Sequence, residues 1–252
     1  MEQHTDPAAL LTAALDLGEQ MLLRGAEVGR VEDTLTRILR SQGAERVDVF
    51  TITSSIIVTA HFSEGPVTQS RRITGIQYDM TALTRLNALS REICAGGCDL
   101  SAIAGRLSAI ARGETYGFAS SVLFYSFTSL VFSLFFGGSF LDALISAGIG
   151  ALLRLMLLVF DRLRIPGMAS TLLCAFAGGL IAHGLYHLGV PCAPDKVSIG
   201  NIMLLVPGIA ITNAIRDMFT GDTISGLLRF CESLLLSLAL AWGFALPSAL
   251  FV

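Results

Sequence analysis

A group of polar residues interrupts an apolar stretch near the end of this 252-residue chain. The segment NIMLLVPGIAITNAIRDMFTGD carries Pro207 and Gly208 at its centre, and Asn213 and Asp217 follow four residues apart. In a helix this spacing puts both side chains on one face. Pro207 would remove a backbone hydrogen bond, and the broken helix would present an N-terminus that can hold a carboxylate. Asn213 could bind a substrate hydroxyl, amine or carboxylate, and Asp217 could bind a proton or an amine.

A structural role is the alternative at each of these positions. Pro207 and Gly208 can supply a kink for packing, since Pro and Gly cause most sharp kinks in helices. Asp217 can pair with Arg216 or Arg229, and both Asp217 and Arg229 can act as anchors near the membrane surface. The sequence leaves both interpretations open.

Other charged residues could gate a path or carry protons. Asp142 stands at the start of an apolar stretch, where it can cap a helix or bind a proton. The densest charge cluster lies in residues 27–37. It predicts a solvated helix face with an Asp33–Arg37 pair, or alternatively a docking surface or gate. The candidates for a gate or a proton-linked group are Asp142, Arg216, Arg229, Glu232, Glu27, Arg30 and Glu32.

Motifs of enzymes and metal sites are missing from the sequence. It has no GxSxG, no phosphate-binding glycine loop and no HExxH. Apart from His4 at the N-terminus, His61 is the one histidine within the predicted soluble domain, and His183 and His187 lack an apparent third metal ligand. We therefore expect a protein that is not an enzyme, with no catalytic residue, no cofactor and no metal.

Charge divides the chain into two parts that must position these residues. Residues 1–114 hold 25 of the 37 charged side chains, although 53% of the whole chain is hydrophobic. The apolar part has several runs near the length of about 20 residues that a helix needs to cross a bilayer. We predict an α-helical membrane protein with a cytosolic domain at 1–113 and a transmembrane domain at 114–252. The five predicted spans are 116–136, 140–160, 167–189, 197–215 and 230–251.

Loop charges predict the orientation of these spans. Arginines precede the first span and recur in the loops between the second and third spans and between the fourth and fifth spans. By the positive-inside rule, this distribution places the N-terminus in the cytosol. No secretory signal is recognisable at the start of the sequence. The expected partner is membrane lipid, and a net charge of −3 gives no reason to expect nucleic acid.

Residue periodicity predicts that the N-terminal part is a small α+β domain. Apolar residues recur at helical spacing in four segments, and Val, Ile and Thr are concentrated between the second and third of them. The predicted helices are near 10–21, 28–39, 78–93 and 100–111, with one or two strands in 46–62, a turn at 63–66 and a strand at 67–73.

Three motifs together resemble the threonine/serine exporter family. They are GAEVGRVEDTLTRIL at 25–39, FGGSFLDA at 136–143 and MLLVPGIAITNAIRDMFTGDTISGLLRF at 203–230. Their order and spacing both agree with the family pattern. The resemblance implies export of small hydrophilic metabolites across the bacterial cytoplasmic (inner) membrane. The short five-span form resembles the larger subunit of two-component exporters, a branch associated with succinate, so the substrate is either an amino acid or a dicarboxylate.

The same resemblance implies a second membrane subunit. Transporters are commonly built from paired bundles, so a partner of about 150 residues or a second copy of this chain would supply the other bundle. A passive channel, a regulatory or sensor subunit, and a membrane-anchored hydrolase are the alternatives. Coupling to protons is a hypothesis that rests on Asp142, Asp217 and Glu232.

Overall fold

The computed structural model of the protein describes residues 6–96, 100–113 and 116–251. These residues are mostly helical, with one small sheet. In chain order the elements are α1 (Pro7–Leu23), α2 (Val28–Ser41), β1 (Arg46–Ile52), β2 (Ser55–Phe62), β3 (Gly65–Arg72), α3 (Met80–Cys94), α4 (Leu100–Arg112), α5 (Phe118–Phe135), α6 (Phe140–Arg162), α7 (Gly167–His187), α8 (Pro194–Ile202), α9 (Gly208–Thr220) and α10 (Thr223–Leu250).

The chain forms two compact units, and each unit combines two segments that are separated in the sequence. We call Met1–Glu114 together with Ile209–Phe230 the first unit, and Thr115–Gly208 together with Cys231–Val252 the second unit. The predicted boundary near residue 113 therefore separates α5 from α4, but most of α9 and the start of α10 pack with the N-terminal elements.

The first unit contains an antiparallel three-stranded sheet in the order β1-β2-β3. Helices α1 and α2 pack on it because their apolar faces are continuous, and side chains such as Leu15, Leu35 and Val58 are fully buried in one core. The helices and strands predicted from periodicity are confirmed here, with α1 and α2 extending a few residues beyond the predicted ranges.

The turn between α1 and α2 depends on a glycine. Gly25 has a φ of +87°, a conformation that side chains other than glycine rarely adopt. A Cβ at this position would also collide with the ring of Tyr78. The turn fixes where α2 begins and turns the carbonyl of Gly25 outward toward α9, whose contacts are described below.

The second unit has the polarity expected of a protein in lipid. Helices α5, α6, α7 and α10 are, among the described residues, the four that are long and apolar enough to span a membrane. Large apolar side chains such as Phe127 and Trp242 are more than 60% exposed. Polar side chains such as Ser129 and Asn201 are fully buried. Small and polar residues between helices and apolar residues outside are typical of membrane bundles. We therefore describe the chain as a multi-pass membrane protein.

The prediction of five continuous spans is corrected in two places. The predicted span 197–215 is interrupted, because α8 ends at Ile202 and α9 begins at Gly208. The predicted span 230–251 starts earlier, because α10 begins at Thr223 and includes Arg229, which the prediction leaves in the loop before the span. The loop between α9 and α10 shrinks to a tight turn, in which Gly221 has a φ of +102°.

Candidate functional site

The interruption at Pro207 and Gly208 is a complete break rather than a kink. The amide of Val206 still bonds to the carbonyl of Ile202, at 3.1 Å, and Pro207 has no amide hydrogen with which to continue the series. A Cβ added at Gly208 would meet no atom within 4 Å, so protein atoms do not crowd this position. The amides of the first turn of α9 have no acceptor within their own helix, as at every helix start.

Helix α9 contacts the turn and the first residues of α2, within the first unit. The side-chain amide of Asn213, which is half-buried, donates to the carbonyl of Gly25 at 3.2 Å. Arg216 forms a hydrogen-bonded ion pair with Glu27, whose side chain is only 19% exposed. Arg30 is also near Glu27, with 3.7 Å between Nε and the carboxylate. Two of the three sequence motifs are therefore in direct contact.

Asp217 of α9 caps the start of α2, where the neighbouring residue in the sequence does not. Glu27 occupies the N-cap position but makes no side-chain capping bond. The amide of Val28 instead donates to the carboxylate of Asp217. A carboxylate at a helix N-terminus satisfies a free amide and interacts favourably with the helix dipole.

A buried ion pair holds the same carboxylate. Nη1 of Arg229 lies 3.3 Å from Oδ2 of Asp217, and the two side chains are 2% and 1% exposed. Nη2 of Arg229 also lies 3.4 Å from the carbonyl of Ala26. Burial raises the pKa of Asp217, and the charge of Arg229 and the amide of Val28 oppose that rise. In this structure neither residue serves as an exposed surface anchor.

Two more carboxylates lie beside the first turns of α2. A Cβ on Gly29 would be 3.0 Å from a carboxylate oxygen of Asp222, so the Asp222 side chain lies close against the start of α2. Glu32 accepts a hydrogen bond from the amide of Thr51 at 2.8 Å. Burial raises the pKa of Glu32, and the charge of Asp222 adds to that effect, whereas the Thr51 amide opposes it.

A cavity of about 280 Å³ opens between α2, α3 and α9. One side carries charges of both signs, from Glu27, Arg30 and Arg216, together with the amide of Asn213. Its apolar and other lining residues include Met21, Met80, Leu83, Asn87 and Ile209. We call this the mixed-charge cavity. Its arginines can bind a carboxylate, its glutamate can bind an ammonium group, and its amides can bind a hydroxyl.

A second cavity of about 420 Å³ shares two of these residues. Arg30 and Asn87 line both cavities, and Arg37, Arg91 and Cys94 lie farther along the groove between α2 and α3. The predicted Asp33–Arg37 pair is confirmed, with 2.9 Å between the charged groups. The charge cluster of α2 is thus partly a solvated face and partly the wall of two cavities.

The remaining predicted site residues lie in the second unit. Asp142 forms a capping box with Ser139 at the start of α6, and its other oxygen accepts the amide of Ala193 at 2.7 Å. Glu232 is exposed on α10. The structure therefore brings seven of the predicted residues together in the first unit: Asn213, Asp217, Arg216, Arg229, Glu27, Arg30 and Glu32. Pro207, Gly208, Asp142 and Glu232 belong to the second unit.

Sequence reasoning did not single out two polar groups of the second unit. The hydroxyl of Ser129 lies 2.8 Å from Oδ1 of Asn201, whose amide donates to the carbonyl of Val197 at 2.9 Å. Arg154 is a charged residue in the interior of α6 and lines a separate cavity. A lone arginine in an apolar helix was the available signal for that site.

The described parts of the chain contain no cluster of three or more His, Cys, Asp or Glu residues that could hold a metal ion. The rings of His183 and His187 both stack on Phe251, with 4.8 Å between the ring centres of His187 and Phe251. These histidines pack at one end of the bundle.

Comparison with known protein families identifies the family of this chain. The model of a family described as threonine/serine exporter (ThrE) matches residues 12–251, which is nearly the whole chain. Searches of curated proteins and of solved structures find no match.

Proposed function

We propose that this chain, which belongs to the threonine/serine exporter family, is a subunit of a transporter. The transporter would export small metabolites that carry a carboxylate. The proposed location is the bacterial cytoplasmic membrane, with the N-terminus in the cytosol. Four apolar helices and an interrupted fifth segment support a transport role, because broken helices in membrane proteins commonly form substrate sites.

The mixed-charge cavity is the observation that carries this proposal. A free amino acid presents a carboxylate and an ammonium group a few ångströms apart, and the cavity has receptors of both kinds. Arg30 would bind the carboxylate, Glu27 the ammonium group, and Asn213 the side-chain hydroxyl of threonine or serine. At about 280 Å³ the cavity is near the lower end of the usual range for ligand pockets, which suits a metabolite of this size.

The charge pattern favours an amino acid over succinate. Succinate could pair its two carboxylates with Arg30 and Arg216 only by taking both of these partners from Glu27, whose side chain is only 19% exposed. Like charges in such a partly desolvated site repel strongly. The carboxylate and the ammonium group of an amino acid would instead each replace one partner in an existing ion pair. The net charge of the cavity would then stay unchanged.

This exchange connects ligand binding to α9. Arg216 belongs to α9 and pairs with Glu27 of the turn before α2. A ligand ammonium group at Glu27 would compete with Arg216 and weaken one of the contacts that hold α9. Because α9 begins at the break at Gly208, a shift of this helix would be the first step in opening a path. Asp217 would keep α9 in position through Val28 and Arg229.

We also propose that a second membrane subunit completes the exporter. Transport sites commonly form between two bundles. The described residues contain one interrupted apolar segment. A small partner subunit or a second copy of this chain would supply the other half.

Transport by matched variants in vesicles tests this proposal. Arg30→Gln removes the carboxylate receptor, and Asn213→Ala removes the amide. Arg40→Gln is the control, because Arg40 is exposed on the same helix and lines neither cavity. Losing a hydrogen bond to a charged group costs about 1.5–3 kcal/mol, so Arg30→Gln should lower transport at limiting substrate roughly tenfold or more. Folded Arg30 and Asn213 variants that transport at the rate of Arg40→Gln would remove the cavity from the substrate path.

A further inference from the structure

A third cavity, in the second unit, combines positive charge with apolar walls. Its volume is about 390 Å³, and it lies between the start of α5 and the last turns of α6. Arg154 and Arg162 supply two guanidinium groups, and Ser121 and Tyr116 supply hydroxyls. The other lining residues are Phe118, Leu155, Leu158 and Val159.

The position of Arg154 is unusual for a charged residue. It lies eight residues before Arg162 at the end of α6, which corresponds to about 12 Å along the helix axis. A charged residue near the centre of a membrane helix is energetically unfavourable, and less so toward the ends of the helix. Such residues are rare and usually mark a binding site or a pathway.

The contacts of Arg154 are with neutral groups. Its Nε donates to the hydroxyl of Ser121 at 3.1 Å, and its guanidinium lies 5.3 Å from the ring centre of Tyr125. Among the ion pairs that the structure shows for the described residues, none involves Arg154. Both contacts are to α5, so the guanidinium is held against the neighbouring helix. The positive charge therefore remains available to an anion in the cavity.

The walls of the cavity indicate what kind of anion fits. Tyr116, Phe118 and Val159 are 78%, 63% and 51% exposed. In a bilayer such surfaces contact hydrocarbon and the aromatic residues lie near the headgroups. A small soluble anion would use the arginines but leave these apolar walls unused. An acyl chain attached to the anion would cover them.

We propose that this cavity binds an anionic phospholipid, with its phosphate between Arg154 and Arg162 and an acyl chain along the apolar wall. Basic pockets at the cytosolic ends of membrane helices are suited to such headgroups. Arg162 would act at the membrane surface, and Arg154 would draw the headgroup toward the α5–α6 contact. The proposal does not depend on which metabolite the protein transports.

The test compares lipids by their effect on unfolding of the purified, delipidated full chain in detergent. Phosphatidylglycerol at a hundredfold excess over its Kd should raise the unfolding midpoint by about 5–10 °C, and phosphatidylcholine should raise it much less. Arg154→Gln should lose most of this difference. Arg164→Gln is the matched control, because Arg164 is exposed in the following turn and does not line the cavity, and it should keep the difference.

Three results would overturn the proposal. The first is equal stabilisation by the two lipids, and the second is an Arg154→Gln protein that responds to phosphatidylglycerol like wild type. The third is equal stabilisation by inorganic phosphate or succinate, which would mean a soluble anion site. If Arg154→Gln does not fold, native mass spectrometry of the wild type decides. Retained phosphatidylglycerol in preference to phosphatidylcholine supports the proposal, and no preference refutes it.

Discussion

The buried pair of Asp217 and Arg229 gives the sharpest prediction about stability. Asp217→Asn keeps the size of the side chain and leaves an oxygen that can accept from the Val28 amide, so the change removes mainly the negative charge. Arg229 is 2% exposed and would then be buried without that countercharge. Removing one partner of a buried ion pair typically costs about 3–5 kcal/mol.

The assay is the unfolding midpoint of the purified full chain. For a protein of this size, about 1 kcal/mol shifts the midpoint by about 2–4 °C, so Asp217→Asn should lower it by about 6–20 °C. Asp33→Asn is the control, because it breaks an ion pair on the solvated face of α2. Exposed helix pairs of this spacing contribute about 0.3–0.5 kcal/mol, which predicts a shift of about 1–2 °C.

A double variant separates charge from shape. Replacing both partners, with Asp217→Asn and Arg229→Met, removes the unpaired charge and should recover much of the lost stability. If Asp217→Asn shifts the midpoint no more than Asp33→Asn does, the pair does not hold α9 against α2. The positioning role that we assign to Asp217 would then be wrong.

Three further predictions follow from single positions. Gly25→Ala should destabilise the protein by more than about 1 kcal/mol, because Gly25 has a positive φ and the added Cβ would collide with Tyr78. Gly43 has a φ of +96° but open space around it, so Gly43→Ala should lower the unfolding midpoint less. Because burial raises the pKa of Glu32, its protonated form stabilises the folded state, and that contribution is lost as the pH rises above the ordinary value of 4.5 through the folded pKa. Glu32→Gln should therefore flatten the fall in stability over this pH range, measured by unfolding at each pH. Asn201→Ala should cost about 1–3 kcal/mol, measured by the same midpoint, because two buried hydrogen bonds of about 0.5–1.5 kcal/mol each would be lost, although the Ser129 hydroxyl keeps its contact with Ser146.

Local patterns predicted most of the secondary structure. The strands and helices of the first unit follow from alternation and helical periodicity, and α5, α6 and α7 follow from long apolar runs with few charges. The capping role of Asp142 could also be predicted from the sequence, because a capping box joins residues three positions apart and needs no tertiary information.

Contacts between residues that are far apart in the sequence could not be predicted in the same way. The amide of Asn213 contacts Gly25 and Arg216 contacts Glu27 across 188 and 189 residues of sequence, and no local pattern encodes such a contact. The predicted fifth span begins at residue 230, which leaves Arg229 in the loop before it. The structure instead places Arg229 within α10, where it pairs with Asp217, one of the alternatives that the sequence allowed, and both side chains are buried in the first unit. The cavities depend on the same tertiary contacts and so could not be predicted.

Uptake into inside-out vesicles tests the central claim most directly, because export from the cell then appears as accumulation inside. Labelled threonine, serine and succinate would be supplied to vesicles that contain this chain, alone or with a candidate small membrane subunit. The account predicts accumulation of threonine or serine above vesicles without the chain, in preference to succinate, and dependence on a second bundle. Accumulation of succinate alone would contradict the assignment of the mixed-charge cavity, and no accumulation of any of the three under either condition would contradict the transport function itself.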